Sequence, residues 1–172
     1  INIDQMFTKE KSTTTIPIAM ALDENYVYPT VVSITSAMEN SNYKARYDFY
    51  IMHTPDLSEE SKTILKSLQE KYDNCSINLI NMQDEFNSAH TDSRITTPAY
   101  YRLMLSNLLP DMDKIIWMDG DTLIFKDLNE MFNVDIEGYC YKGFLDFPQH
   151  SDHLKAFDIT NDHYICDGVM LV

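Results

Sequence analysis

Short continuous apolar runs alternate with apolar stripes of helical period along this chain, and that order admits few folds other than an α/β sheet faced by helices. Ile16-Pro-Ile-Ala-Met-Ala-Leu22 reads as a buried strand that delivers Asp23, Glu24 and Asn25 at its carboxyl end. Val27, Val31, Ile34 and Met38 follow at spacings of four, three and four, the stripe of a helix that tolerates Pro29 in its first turn. Tyr47 to Met52 is a second strand, and Ser58 is an N-cap with Glu59 and Glu60 behind it. The helix so started buries Ile64, Leu65, Leu68 and Tyr72, and Ser76 to Ile80 alternates as a third strand. Residues 81–97 carry no period and read as a long loop. Pro98 opens a third helix, with Tyr101, Met104, Leu105 and Leu108 inward and Pro110 as its stop. Lys114-Ile-Ile-Trp-Met118 is then a central parallel strand, and Val169 to Val172 enters another.

Charge narrows the partners. Thirteen basic against 27 acidic residues leave a formal net charge of −14, which gives no footprint for nucleic acid or anionic lipid. No apolar stretch of about 18 residues is present, so no transmembrane segment is expected. Cys75, Cys140 and Cys166 are widely spaced and form no C-x-x-C pair, which fits a reducing, cytoplasmic home. Residues 1–15 are polar and read as a tail, leaving residues 16–172 as one folded unit. That unit breaks off in an apolar run, so the domain is expected to be C-terminally incomplete, with any peripheral membrane attachment left to residues beyond Val172.

Asp119-Gly120-Asp121 is the feature that carries chemistry. In a chain with 18 aspartates, roughly two D-x-D pairs arise by chance, and two are found. Asp111-Met112-Asp113 lies beside Pro110 and reads as a polar turn. Asp119 and Asp121 directly follow an apolar strand, and in extended backbone residues i and i+2 face the same way, so both carboxylates can converge on one cation. Two hard oxygen ligands suit Mn²⁺ or Mg²⁺ with a diphosphate completing the shell, and the alternative is a solvated acidic turn.

Four blocks in order make the chain resemble glycosyltransferase family 8 over about residues 16–172. They are Ala21-Leu-Asp-Glu-Asn-Tyr26, Pro98-Ala-Tyr-Tyr-Arg-Leu103, Leu108-Leu-Pro110 with Asp113-Lys-Ile-Ile-Trp-Met-Asp-Gly-Asp121, and Gly168-Val-Met-Leu171. The resemblance implies a GT-A fold, the Rossmann-like α/β fold of nucleotide-diphospho-sugar transferases, with a mainly parallel sheet and helices on both faces. It implies a retaining hexosyltransferase like the lipopolysaccharide glucosyl- and galactosyltransferases, with UDP-glucose or UDP-galactose as donor and a glycan or glycolipid as acceptor. By the same resemblance Asp23 and Asn25 contact uracil and ribose, and Ala21 and Tyr26 line the base pocket. Arg102 and Asp146 act at the donor sugar, Gly168 borders it, and Asp119 and Asp121 hold Mn²⁺ against the diphosphate. The family often has Asn where Cys166 stands, and its third metal ligand is a His in a segment beyond Val172.

Two other readings stay open at this stage. An aspartate-nucleophile phosphatase also places two aspartates after a strand, but it expects Thr two residues beyond the second, where this chain has Leu123. A UDP-sugar-binding fragment without turnover is the other. His150 and His153 with Asp152 read as a solvated polar face rather than a metal cluster, His90 and His163 stand alone, and Cys166 reads as a small buried thiol.

Overall fold

The structure, a computed structural model, describes residues 14–42, 44–92, 95–145 and 165–172. Strand β1 (Thr14–Leu22) begins two residues before its apolar run and leads through a short 3₁₀ turn (Glu24–Tyr26) into α1 (Val27–Glu39). Strand β2 (Ala45–His53), α2 (Glu59–Lys71) and β3 (Cys75–Asn81) follow. Ser58 caps α2 as expected, its side chain accepting from the Ser61 amide at 3.1 Å. The third helical segment departs from the sequence reading. It is a 3₁₀ helix over Thr97–Met104 and becomes α-helical only in α3 (Leu105–Leu108). The inward residues Pro98, Tyr101 and Met104 recur every three residues, which matches three residues per turn rather than 3.6.

Strand β4 (Ile116–Met118), α4 (Leu128–Phe132), β5 (Lys142–Leu145) and β6 (Ile165–Leu171) complete the described chain. All six strands form one sheet in the order β3-β2-β1-β4-β6-β5. The pairs β1–β2, β2–β3 and β1–β4 are parallel, whereas β6 runs antiparallel to both β4 and β5. Strand order reverses between β1 and β4, since the chain steps outward from β1 to β3 and then returns to β1's other side. Ligands of open α/β sheets bind at such a switch point, outside the carboxyl ends of the strands.

Each sheet face buries its own core. Ile16, Ile18, Met20 and Leu22 alternate toward Ile34 and Met38 of α1 and Leu65 and Leu68 of α2. Ala19 and Trp117 point the other way, against Tyr101 and Leu105 of the third helical segment. Helices on both faces explain why β1 reads as one unbroken apolar run. A polar hub closes the first face: Asp127 caps α4 by accepting from the Asn129 amide at 2.8 Å, and also accepts from Tyr47 Oη at 2.6 Å and the Asn42 amide at 3.0 Å. Among the described residues no helix is long and apolar enough to cross a membrane.

Cys75 is buried, and burial, with Asp48 nearby, pushes its thiol up to about 12. Cys140 is exposed and so is Cys166, which corrects the expectation of a buried thiol there, because the β6 end that carries it has no layer packed over it among the described residues. A thiol reagent at neutral pH should therefore titrate two of the three cysteines in the native protein and Cys75 only after denaturant is added. Rapid native-state labelling of Cys75, read by peptide mass, would count against this packing.

Candidate functional site

The carboxyl ends of β1 and β4 open into a cleft of about 120 Å³. Ala21, Asp23, Tyr26, Arg102, Asp119 and Asp121 all line it, so six of the residues singled out from the sequence come together at the switch point. Asp23 caps the short 3₁₀ turn, its Oδ1 accepting from the Asn25 amide at 2.9 Å. That turn presents the Tyr26 ring, 43% exposed, as a face on which a planar group can stack. Asn25 follows Asp23 on the same turn and is exposed, just outside the residues that line the cleft.

Arg102 is the organising cation. It lies on the 3₁₀ helix, and its Nε donates to the Ala99 carbonyl at 3.0 Å, which aims the guanidinium across the cleft. Nη1 donates to the Asp167 carbonyl at 2.7 Å and reaches Asp167 Oδ2 at 2.8 Å, while Nη2 donates to Asp119 Oδ1 at 3.2 Å. The guanidinium carbon sits 4.7 Å from the Trp117 ring centroid, within cation–π range. With its side chain only 16% exposed, Arg102 is not a solvated surface arginine.

Asp119 receives a second hydrogen bond from Trp117 Nε1 at 3.0 Å, and its own amide donates to the Gly168 carbonyl at 2.8 Å. Gly168 thus borders the acidic pair through its backbone rather than lining the cleft: a Cβ there would stand 3.2 Å from Asp119 Oδ2. Burial pushes the Asp119 carboxyl above its ordinary value, Arg102 and the Trp117 hydrogen bond pull it back, and the charges of Asp167 and Asp121 push it up again. Burial is the largest of these influences, and Arg102 is the charge that opposes it.

The backbone carrying the acidic pair is not the extended one expected from the sequence. β4 ends at Met118, and the Thr122 amide donates to the Asp119 carbonyl at 3.2 Å, closing a turn over Asp119-Gly120-Asp121. A turn still brings the two carboxylates to one cleft, by a different route from strand alternation. Among the described residues no group of three or more His, Cys, Asp and Glu side chains is arranged to hold a metal ion. Asp146, His150, Asp152, His153 and His163 lie outside the described residues.

Several lining residues escaped the sequence reading as site residues: Thr96, Pro98, Ala99, Trp117 and Gly120. Glu24 also did, although it fixes the Asp23 turn. Its carboxylate accepts from Ser61 Oγ at 2.6 Å, Ser58 Oγ at 2.9 Å and the Ser58 amide at 3.0 Å, which ties the turn to the start of α2 and holds the carboxyl below its ordinary value. An acidic residue two positions from the end of a strand carried no signal of that partnership.

Comparison with known proteins bears on the family and the fold. The profile of Glycosyl transferase family 8 matches residues 17–172. A Haemophilus influenzae protein named as a glycosyltransferase is 29% identical over 164 residues, 92% of this chain and 48% of that protein. The Escherichia coli lipopolysaccharide 1,2-glucosyltransferase is 27% identical over 139 residues, 80% of this chain and 40% of its own. Among solved structures, the galactosyltransferase LgtC in complex with donor and acceptor sugar analogues superposes with a TM-score of 0.75 at 21% identity, over 91% of this chain and 57% of LgtC, which shows a shared fold. The chain spans about half the length of the curated relatives it matches. With its switch-point cleft, its acidic turn and a profile match over nearly the whole chain, the protein belongs to glycosyltransferase family 8.

Proposed function

We propose that the protein moves glucose or galactose from a UDP-sugar to a glycan or glycolipid acceptor with retention of configuration, and that this chain supplies the nucleotide-sugar half of the site. One observation carries the reading: Asp119 and Asp121 share a single cleft with Asp23 and the exposed Tyr26 ring across the β1–β4 switch point. A nucleoside needs a stacking face and a hydrogen-bonding carboxylate, a diphosphate needs cationic groups, and the cleft sets these side by side. The names of the relatives, a lipopolysaccharide glucosyltransferase and a galactosyltransferase, support the hexose. Membership of this family removes the phosphatase reading.

The donor set fits a hard divalent cation, Mn²⁺ or Mg²⁺, since it consists of carboxylate oxygens and leaves coordination positions for water and phosphate. Asp119 and Asp121 would hold the ion, and when bound it supplies Lewis-acid stabilisation of the charge left on departing UDP. Arg102 keeps Asp119 oriented in the meantime, and its Nη groups face the same cleft as the donor sugar would. Asp146 remains part of the proposal as a donor-sugar contact, by resemblance alone.

The test is nucleotide selectivity. UDP and UDP-hexoses should compete for one site while GDP does not, and Asp23→Ala should weaken UDP by about 1–3 kcal/mol with or without a cation, the scale for losing one partner of a polar contact. Calorimetry that finds UDP affinity unaltered in Asp23→Ala removes the assignment.

A further inference from the structure

The two halves of the cleft are joined by more than the sheet. Gly120, between the two aspartates, lies directly on α1: a Cβ built there would stand 2.4 Å from Thr30 Oγ1 and 3.6 Å from Tyr26 Cδ1. Thr30 is fully buried, and its hydroxyl has no hydrogen-bond partner. The chain then stays on the same helix. The Ile124 amide donates to Ser36 Oγ at 2.9 Å, and the Ile124 carbonyl accepts from Asn40 Nδ2 at 3.0 Å. Residues 120–124 therefore run along α1 from Thr30, near its start, to Asn40 at its C-cap. Tyr26 immediately precedes that helix, so one rigid element begins at the nucleoside-binding turn and carries the acidic turn on its side.

We propose that α1 is the spacer that sets the distance between the nucleoside-binding turn and the acidic turn, with Thr30 as the positioning residue and the bare Cα of Gly120 as the condition for contact. The inference rests on the UDP-and-cation reading given above. A buried hydroxyl without a partner costs stability, so its place here is explained by shape. Thr30 is short and fully enclosed, so it has little room to swing aside and admit a methyl group at position 120. Whatever sits at 120 must fit between Thr30 and Tyr26, and any misfit moves the acidic turn relative to the base.

The test is a double-mutant cycle on the full chain, reading by calorimetry the factor by which saturating Mn²⁺ raises UDP affinity. Gly120→Ala should lower that factor about tenfold, a typical size for coupling between two bound ligands. In Gly120→Ala combined with Thr30→Ala the new methyl meets nothing nearer than 3.6 Å, and most of the factor should return. Thr30→Ser, which keeps the oxygen, should retain it. If Gly120→Ala does not fold, the double variant must fold, because the clash is gone. A folded Gly120→Ala with the wild-type factor, or a double variant no better than Gly120→Ala in coupling or folding, overturns the spacer. Absence of any Mn²⁺ effect in the wild-type chain would instead fall on the proposed function.

Discussion

Trp117→Ala should destabilise the protein by about 3–5 kcal/mol in urea denaturation, the range for deleting a fully buried indole. Trp117 is 1% exposed on the sheet face packed by Tyr101, Leu105 and Met170. Its loss leaves a cavity and removes two polar functions with it: the N–H given to Asp119 Oδ1 and the ring under the Arg102 guanidinium. Arg102 and Asp119 would each lose one of the contacts that hold them in place. Trp117→Phe keeps most of the apolar contact and loses the N–H, while Asp119 Oδ1 still accepts from Arg102, so it should cost about 1–2 kcal/mol, the scale of one lost hydrogen bond plus a conservative change in the core. Midpoints at unchanged denaturant slope measure both. A Trp117→Ala loss below about 1 kcal/mol would mean that the second core is not packed as described.

Much of the fold is legible in the sequence, for a physical reason. β1 and β4 are covered on both faces over their apolar runs, and a strand covered on both sides must be apolar throughout, as Ile16–Leu22 and Ile115–Met118 are. The helices α1 and α2 repay burial on one face only, so Ile34, Met38, Leu65 and Leu68 stand at helical spacing. The 3₁₀ helix is not legible because Tyr101, Met104, Leu105 and Leu108 also stand at α-helical spacing, and Pro98 suits the first turn of either kind of helix. Nor is the antiparallel return of β6 beside β4, since strand direction depends on pairing partners far apart in the chain and leaves no local mark.

The site divides the same way. Acidic residues at the carboxyl ends of apolar strands are visible in sequence, and topology alone brings Asp23 to Asp119 and Asp121. The local path of the acidic pair is not, because Asp-Gly-Asp serves an extended strand end or a closed turn equally well, and the Thr122 amide decides for the turn. Trp117 reads as core from its apolar neighbours, yet its N–H also serves the site. Glu24 and Thr30 act only through residues that the fold brings to them, Ser58 and Ser61 for one and Gly120 for the other.

Asp121→Asn should abolish most of the mutual enhancement between Mn²⁺ and UDP, an effect of about 1–3 kcal/mol on each ligand. Among the described residues Asp119 and Asp121 are the carboxylates that the acidic turn presents to the cleft, and two ligands cannot fill an octahedral shell, so the ion should bind weakly to the chain alone and more tightly once phosphate oxygens are present. Linkage requires the ion to raise UDP affinity by the factor that UDP raises the ion's, and an amide in place of the Asp121 carboxylate removes charge and a ligand from both sides of that cycle. Asp121 lies exposed at the turn, so the substitution leaves the core intact and the loss should come without a loss of stability. The decisive measurement is therefore a pair of calorimetric titrations, Mn²⁺ into the chain with and without saturating UDP, repeated for Asp121→Asn. Tighter Mn²⁺ binding in the presence of UDP is expected for the wild-type chain, with little difference for Asp121→Asn. Equal Mn²⁺ affinity with and without UDP in the wild-type chain, or coupling that survives Asp121→Asn, would show the acidic pair to be a solvated turn.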